Sequence, residues 1–225
     1  MGDKEISSAV IGRLPRYYRY LGELREQGVV RISSQELSEQ MKVTASQIRQ
    51  DFNNFGGFGQ QGYGYNVEYL YEEIGKILGL TKKYRMIIVG AGHLGQALAN
   101  HTGFESRGFI LKGIFDINPK LDQMTIRGIP IQMTEKLPEF IKEQGVDIAG
   151  ITTPSEAARE IATQLYQYGV RGFWNFANTD LHLPEDAVVE NMHLAESLMR
   201  LSYSLYNNFY HKKLDENPFL EVMKK

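Results

Sequence analysis

The sequence predicts an α/β protein in two parts. A small helical domain with a β-hairpin comes first, followed by a doubly wound parallel sheet and a long closing helix. Three observations carry this prediction. The apolar run Arg85-Met86-Ile87-Ile88-Val89 leads straight into Gly90-Ala91-Gly92-His93-Leu94-Gly95, a strand entering G-x-G-x-x-G. Beyond it, short apolar runs alternate with amphipathic helical stretches. Before it lie about 80 residues without that alternation, holding helix-capping signals and a glycine–aromatic stretch.

Composition bounds the classes. The chain of 225 residues suits one large or two small domains. Its 42% hydrophobic and 23% charged content is that of a globular protein. No apolar run approaches the ~20 residues of a membrane span, and no secretory signal precedes residue 30, so a cytoplasmic protein with no membrane association is expected. Ile6 stands where myristoylation requires Ser or Thr. The lack of cysteine excludes disulfides and thiol chemistry. The five histidines, at 93, 101, 182, 193 and 211, form no pair at metal-ligand spacing, so no metal is expected. A net charge of −2 gives no global support for nucleic-acid binding. Locally, Arg13, Arg16, Arg19, Arg25 and Arg31 outnumber Glu23 and Glu26. Alone this is a solvated helix face; its neighbours give it meaning.

In residues 1–80, Ser7 or Ser8 caps a helix running to Glu26, with Gly28 as its stop. Pro15 either kinks this helix or starts a second one. Leu14, Tyr17, Tyr18, Leu21 and Leu24 recur at helical spacing. Ser33 and Glu36 form a capping box for a helix to about Met41. Thr44 caps a third helix, with Gln47 at its third position. Ile48 and Phe52 face inward on it, while Ser46, Gln47, Arg49, Gln50 and Asn53 face out. Two short helices joined by a brief turn make a helix-turn-helix, and Arg and Gln suit guanine and adenine edges. DNA contacts are therefore expected from Ser46, Gln47, Arg49 and Gln50, with Arg13 and Arg16 beside them. Phe55 to Tyr65 interleaves five glycines with aromatics and predicts a hairpin, a wing, with Phe58, Gln60, Gln61 and Tyr63 as further contacts. A flexible linker would be richer in serine and poorer in aromatics. Val67, Leu70, Tyr71, Ile74, Ile77 and Leu78 predict one more helix before the boundary at 79–83.

The second domain, 84–192, reads as strands at 85–90, 111–116, 147–152, 172–176 and about 188–189. Gly128–Ile131 reads as a short edge segment, and helices fall at 93–101, 134–144 and 155–168. This is a Rossmann-like alternation. Gly90 allows the turn, Gly92 lets backbone approach a pyrophosphate, and Gly95 allows close helix packing. Asp116 ends the next strand, where it would bind ribose hydroxyls and reject a 2′-phosphate, favouring NAD(H). Ala91, His93 and Leu94 complete the loop, and Thr152, Thr153, Pro154, Asn175, Phe176 and Ala177 end later strands, where ligands of such sheets sit. No acid–base constellation stands beside the expected nicotinamide position, so an enzyme is not expected.

From His193 to about His211, Leu194, Leu198, Leu201, Leu205 and Phe209 form a stripe widened by Met199, Tyr203, Tyr206 and Tyr210. So broad an apolar face must be buried, and a partner subunit is the expected place. This assigns 193–212 to dimerisation and 213–225 to a tail.

Together these features resemble the Rex family of NADH-sensing bacterial repressors. The carriers are Arg13-Leu14-Pro15-Arg16-Tyr17-Tyr18-Arg19, Thr44 to Asp51, Gly62-Tyr63-Gly64-Tyr65-Asn66-Val67, Val89 to Gly95 and Gly172-Phe173-Trp174-Asn175-Phe176. The resemblance implies a winged helix joined to a Rossmann domain in a homodimer, with the last helix swapped between subunits. It implies that NADH releases the dimer from near-palindromic operator DNA while NAD+ competes and permits binding. It also implies that Leu194 of the partner subunit approaches the nicotinamide. Three departures stand out. Gln50 and Gln60-Gln61 replace residues often basic in the family, His101 replaces an aromatic, and His193 replaces an Asp that pairs with the arginine matching Arg19. Arg19, His101 and His193 are thus the expected coupling residues, and two histidines there predict pH sensitivity near neutrality. Two alternatives remain: a small NAD-dependent oxidoreductase with an accessory domain, and a repressor sensing another nucleotide such as CoA.

Overall fold

The computed structural model describes residues 6–56, 59–60 and 63–211, and it divides into two compact units, Met1–Lys82 and Lys83–Lys225. Each unit is described by itself.

In the first unit, α1 spans Ser8–Glu26 as one helix with Pro15 inside it. No second helix begins at the proline. Val10, Leu14, Tyr17, Leu21 and Leu24 are buried on both sides of it, and packing of that single face offsets the missing hydrogen bond. Then follow β1 (Arg31–Ile32), α2 (Ser34–Met41), α3 (Ala45–Asn53), β2 (Gly59–Gln60), β3 (Gly64–Asn66) and α4 (Val67–Ile77). The capping box is present: Ser33 N donates to Glu36 Oε2 at 2.7 Å and Glu36 N to Ser33 Oγ at 3.1 Å. Thr44 Oγ1 caps α3 by accepting from Gln47 N at 3.1 Å. β2 and β3 form the expected hairpin, and β1, unforeseen, pairs antiparallel with β3 to give the order β1-β3-β2. Gly64 is required where β3 meets β1: its φ is +68°, and a Cβ there would lie 2.6 Å from the Ile32 carbonyl oxygen. Leu14, Tyr17, Leu21, Leu37, Ile48, Phe52, Leu70 and Ile74 form the core.

The second unit runs β4 (Tyr84–Val89), α5 (His93–Asn100), β5 (Phe109–Asp116), β6 (Thr125–Ile126), β7 (Ile129–Met133), α6 (Leu137–Gln144), β8 (Ile148–Ile151), α7 (Ser155–Gln167), β9 (Gly172–Asn175), β10 (Val188–Asn191) and α8 (Leu194–Leu205). A π-helical turn, Tyr206–His211, continues α8. The sheet order is β10-β9-β8-β4-β5-β7-β6. Its neighbours are parallel except β6 and β7, which are antiparallel. The doubly wound parallel sheet thus carries one antiparallel strand at its edge. Arg127 and Gly128 both have positive φ (52° and 79°), the geometry of a two-residue hairpin turn, so β6 folds back outside β7 and becomes the edge.

One sheet face packs Ile87, Val89 and Phe115 against α6 and α7. The other packs Met86, Ile88 and Ile114 against Ala99 of α5. On that second face an apolar cavity of about 460 Å³ lies among Met86, Phe104, Ile148, Trp174 and Val188. No residue of α8 is buried.

Candidate nucleotide and nucleic-acid sites

β4 lies between β5 on one side and β8 on the other, so the crevice at its carboxyl end is the switch point where ligands of open α/β sheets bind. The glycine loop occupies that point. Gly90 has φ +103°, and a Cβ on it would lie 2.8 Å from the Thr152 carbonyl. A Cβ on Gly95 would lie 1.8 Å from the Gly90 carbonyl oxygen, so α5 approaches the loop as only glycine permits. Gly92 differs: nothing lies within 4 Å of its Cβ position. It is also the N-cap of α5, and no side chain caps that terminus. The positive end of α5 and its free N–H groups therefore adjoin open space, which fits a pyrophosphate.

Asp116 reaches this loop from the end of β5. Its Oδ2 accepts from Ala91 N at 2.5 Å and its Oδ1 from Asn118 N at 2.8 Å. The carboxylate is thus held by backbone donors next to the cradle, where a ribose would follow the pyrophosphate. His93 and Leu94 are exposed at the start of α5, and Gln96 Nε2 secures the Ala91 carbonyl at 2.7 Å. Thr152 Oγ1 donates to the Gly90 carbonyl at 2.7 Å, which makes it a brace of the loop. Thr153 Oγ1 is buried with no hydrogen-bond partner among the described residues, and Pro154 precedes α7 without a side-chain cap.

Asn175 is turned inward. Its Nδ2 donates to the Thr179 carbonyl and to Asn191 Oδ1, both at 2.8 Å, and its Oδ1 accepts from Ala177 N at 3.0 Å. The Asn175 side chain thus ties together the ends of β9 and β10, where its sequence position had suggested a place beside the cofactor. Ala177 is buried beside it, and the Phe176 ring meets Trp174 edge-on at 4.5 Å. His101 ends α5 with its ring against Phe104 at 4.5 Å. His193 is the N-cap residue of α8, and its Nδ1 is buried without a partner among the described residues. Leu194 beside it is 59% exposed.

In the first unit, α3 presents Ser46, Arg49 and Gln50 on its exposed side. Arg49 Nη1 donates to Ser34 Oγ of α2 at 2.9 Å. Beneath them lies a charged group that sequence reasoning missed. Asp51 is fully buried and accepts four hydrogen bonds: from Arg13 Nε and Nη2 at 2.7 Å each, Tyr17 OH at 2.8 Å and Gln47 Nε2 at 2.9 Å. Burial pushes the carboxyl up, but the hydrogen bonds from Arg13, Gln47 and Tyr17 outweigh it and hold it below the ordinary carboxylate value. The position beside inward-facing Phe52 was the available signal; Arg13, 38 positions away, was not.

The expected basic surface is accordingly reduced. Arg13 is engaged with Asp51, Arg19 lies 4.0 Å from Glu23, and Arg25 lies 2.7 Å from Glu68. Arg16 is exposed on α1. Exposed Tyr63 sits by the wing, its carbonyl accepting from Arg31 Nη1 at 3.1 Å. Gln60 lies in β2, with only its backbone described; Phe58 and Gln61 lie outside the described residues.

Two family models match the chain: "Putative DNA-binding protein N-terminus" over residues 5–53 and "CoA binding domain" over residues 81–179. Curated relatives called redox-sensing transcriptional repressor Rex match nearly end to end. The one from Caldanaerobacter subterraneus subsp. tengcongensis is 56% identical over 209 residues, 93% of each chain. One from Clostridium perfringens is 55% identical over 205 residues, 91% of this chain and 97% of its own. Among solved structures, the Rex-family repressor RSP in complex with β-NAD+ and operator DNA is 53% identical, with a TM-score of 0.86 over 96% of this chain and 100% of its own. RSP in complex with β-NADH is 51% identical, with the same TM-score over 94% of this chain and 100% of its own. Among the described residues no helix is long and apolar enough to cross a membrane, and no cluster of three His, Asp or Glu could hold a metal.

Proposed function

The chain belongs to the Rex family of redox-sensing transcriptional repressors, and on that premise we propose how its parts divide the work. The protein binds operator DNA and senses NADH and NAD+. The cradle at Gly92, open beside the uncapped terminus of α5 and next to Asp116, is the observation that carries the nucleotide assignment. In this reading the N–H groups at the start of α5 hold the pyrophosphate, Asp116 the ribose hydroxyls, and the ends of β8 and β9 the nicotinamide half. Ser46, Gln47, Arg49 and Gln50 of α3 meet base edges. Arg16, Tyr63 and the wing meet the backbone, and Arg13 serves from behind through Asp51.

A homodimer completes the molecule. Leu198 and Tyr203 of α8 are 66% and 71% exposed, and the rest of the stripe is exposed with them. A second copy supplies that cover and places Leu194 of the partner subunit against the nicotinamide. The dimer has a DNA-competent and a DNA-incompetent arrangement, and NADH binds the second better. A reduced nicotinamide is neutral and an oxidised one cationic, so an apolar wall at Leu194 favours the reduced form. For a ~100-fold change in operator affinity the differential must reach ~2.7 kcal/mol. Arg19, His101 and His193 carry the coupling between nucleotide and DNA sites. The protein acts in the cytoplasm, and the nucleotide is its signal and is not consumed.

The match of residues 81–179 to a model named for CoA favours a second reading, a repressor sensing a CoA derivative. Fluorescence titration with NADH, repeated with CoA as competitor, separates the two. Displacement of NADH by micromolar CoA would support the second.

A further inference from the structure

Gln47 occupies the third position of α3, one turn before Asp51 on the same helix. Its Nε2 donates to Asp51 Oδ1 at 2.9 Å. The remaining lone pairs of that carboxylate are occupied by Arg13 and Tyr17. An ionised carboxylate only accepts hydrogen bonds, so the Gln47 amide cannot flip: an inward carbonyl would face Asp51 with no hydrogen between them. The nitrogen is therefore fixed inward, and Oε1 is the terminal atom with no hydrogen bond among the described residues. Tyr17 and Arg13 hold Asp51 in turn, and both belong to α1, so the orientation of the amide is set by packing of α1 on α3.

Resting on the DNA-binding reading above, we propose that Asp51 is a positioning residue that fixes Gln47 with its carbonyl oxygen toward the groove, so that Gln47 reads a base by accepting a hydrogen bond from an exocyclic amino group. In the major groove only adenine N6 and cytosine N4 offer such a donor. A free glutamine would also place its amide nitrogen on adenine N7; a glutamine anchored at that nitrogen depends on the donor first. Gln50 has no such anchor among the described residues and keeps both amide orientations. The buried charge thus acts on sequence preference, beyond holding two helices together.

The test uses the full-length protein and a palindromic duplex that the protein itself selects from random sequence. Each adenine is replaced in turn by purine (no 6-amino group) or by 7-deazaadenine (no N7), and each cytosine by pyrimidin-2-one (no 4-amino group). Wild type should lose about tenfold in affinity on removal of one amino group per half-site, at a cytosine or at an adenine where removing N7 costs less than twofold. Gln47→Leu should be indifferent to the amino group at that position. Asp51→Asn, where it folds, should lose the discrimination at the same base pair with an unchanged salt slope on random DNA. Equal sensitivity to N7 and the amino group, or retention of the preference in Gln47→Leu, would overturn the proposal. Failure of wild type to bind any duplex would instead overturn the DNA-binding reading on which it rests.

Discussion

The β-carbon that Gly95 lacks would lie 1.8 Å from the carbonyl oxygen of Gly90, whereas the one that Gly92 lacks would meet nothing within 4 Å. The same motif therefore contains one glycine required by the fold and one with open space where its Cβ would stand. Gly95→Ala should lower the midpoint of thermal unfolding by several degrees, because backbone must move. Gly92→Ala should leave that midpoint unchanged yet weaken NADH binding at least tenfold, because the methyl group enters the cradle. Differential scanning fluorimetry with NADH titration checks both.

Asp116 provides the second prediction. Its carboxylate is held by Ala91 N and Asn118 N, and with the ribose bound there as proposed a 2′-phosphate would bring like charge. Wild type should bind NADPH more weakly than NADH. Asp116→Ala should lose about 1.5–3 kcal/mol of NADH affinity, the scale of hydrogen bonds to a charged group, and should narrow the gap between the two nucleotides. Parallel fluorescence titrations measure both terms.

These two residues also show what the sequence made legible. Glycine spacing, the strand before it and the acid after it are local signals, and the turn assigned to Gly90 and the close packing assigned to Gly95 match the geometry found. The same is true of the Ser33–Glu36 box, whose partners lie three residues apart. Interactions between distant positions left no such trace. Arg13 read as a surface cation because its partner is 38 residues away. The position of Asn175 at a strand end was visible, while Thr179 and Asn191 as the acceptors of its amide were not. β1 and β6, two residues each, are too short to show alternation.

Arg13 and Asp51 predict a pH-dependent stability. The native environment lowers the Asp51 pKa below its unfolded value of about 3.9. The group thus contributes stability above that value, which is lost as pH falls through the lower native pKa. Arg13→Ala leaves a buried carboxylate without its cation and should cost about 2–3 kcal/mol at pH 7, at or just below the range for broken buried pairs because Arg13 is partly exposed. The difference from wild type should shrink as pH falls and Asp51 becomes protonated. Urea unfolding at pH 7 and pH 3 measures it; an equal cost at both would contradict this account of the buried pair.

The stripe on α8 predicts an assembly. Leu198 and Leu205 are 66% and 41% exposed, so replacing both by Glu places no charge in a buried position of their own unit. The double variant should sediment as a monomer where wild type sediments as a dimer, and it should lose operator affinity, since a palindrome needs two half-site readers. A dimeric double variant would remove α8 from the interface.

The central claim is that the nucleotide cradle controls DNA binding, and fluorescence anisotropy of labelled operator tests it most directly. Titrated with NADH, the full-length protein should release the duplex, with affinity falling about 100-fold, a coupling of ~2.7 kcal/mol. Equimolar NAD+ should leave the complex intact and oppose the release. Operator affinity unchanged by saturating NADH, with NADH binding confirmed in the same sample, would contradict the account.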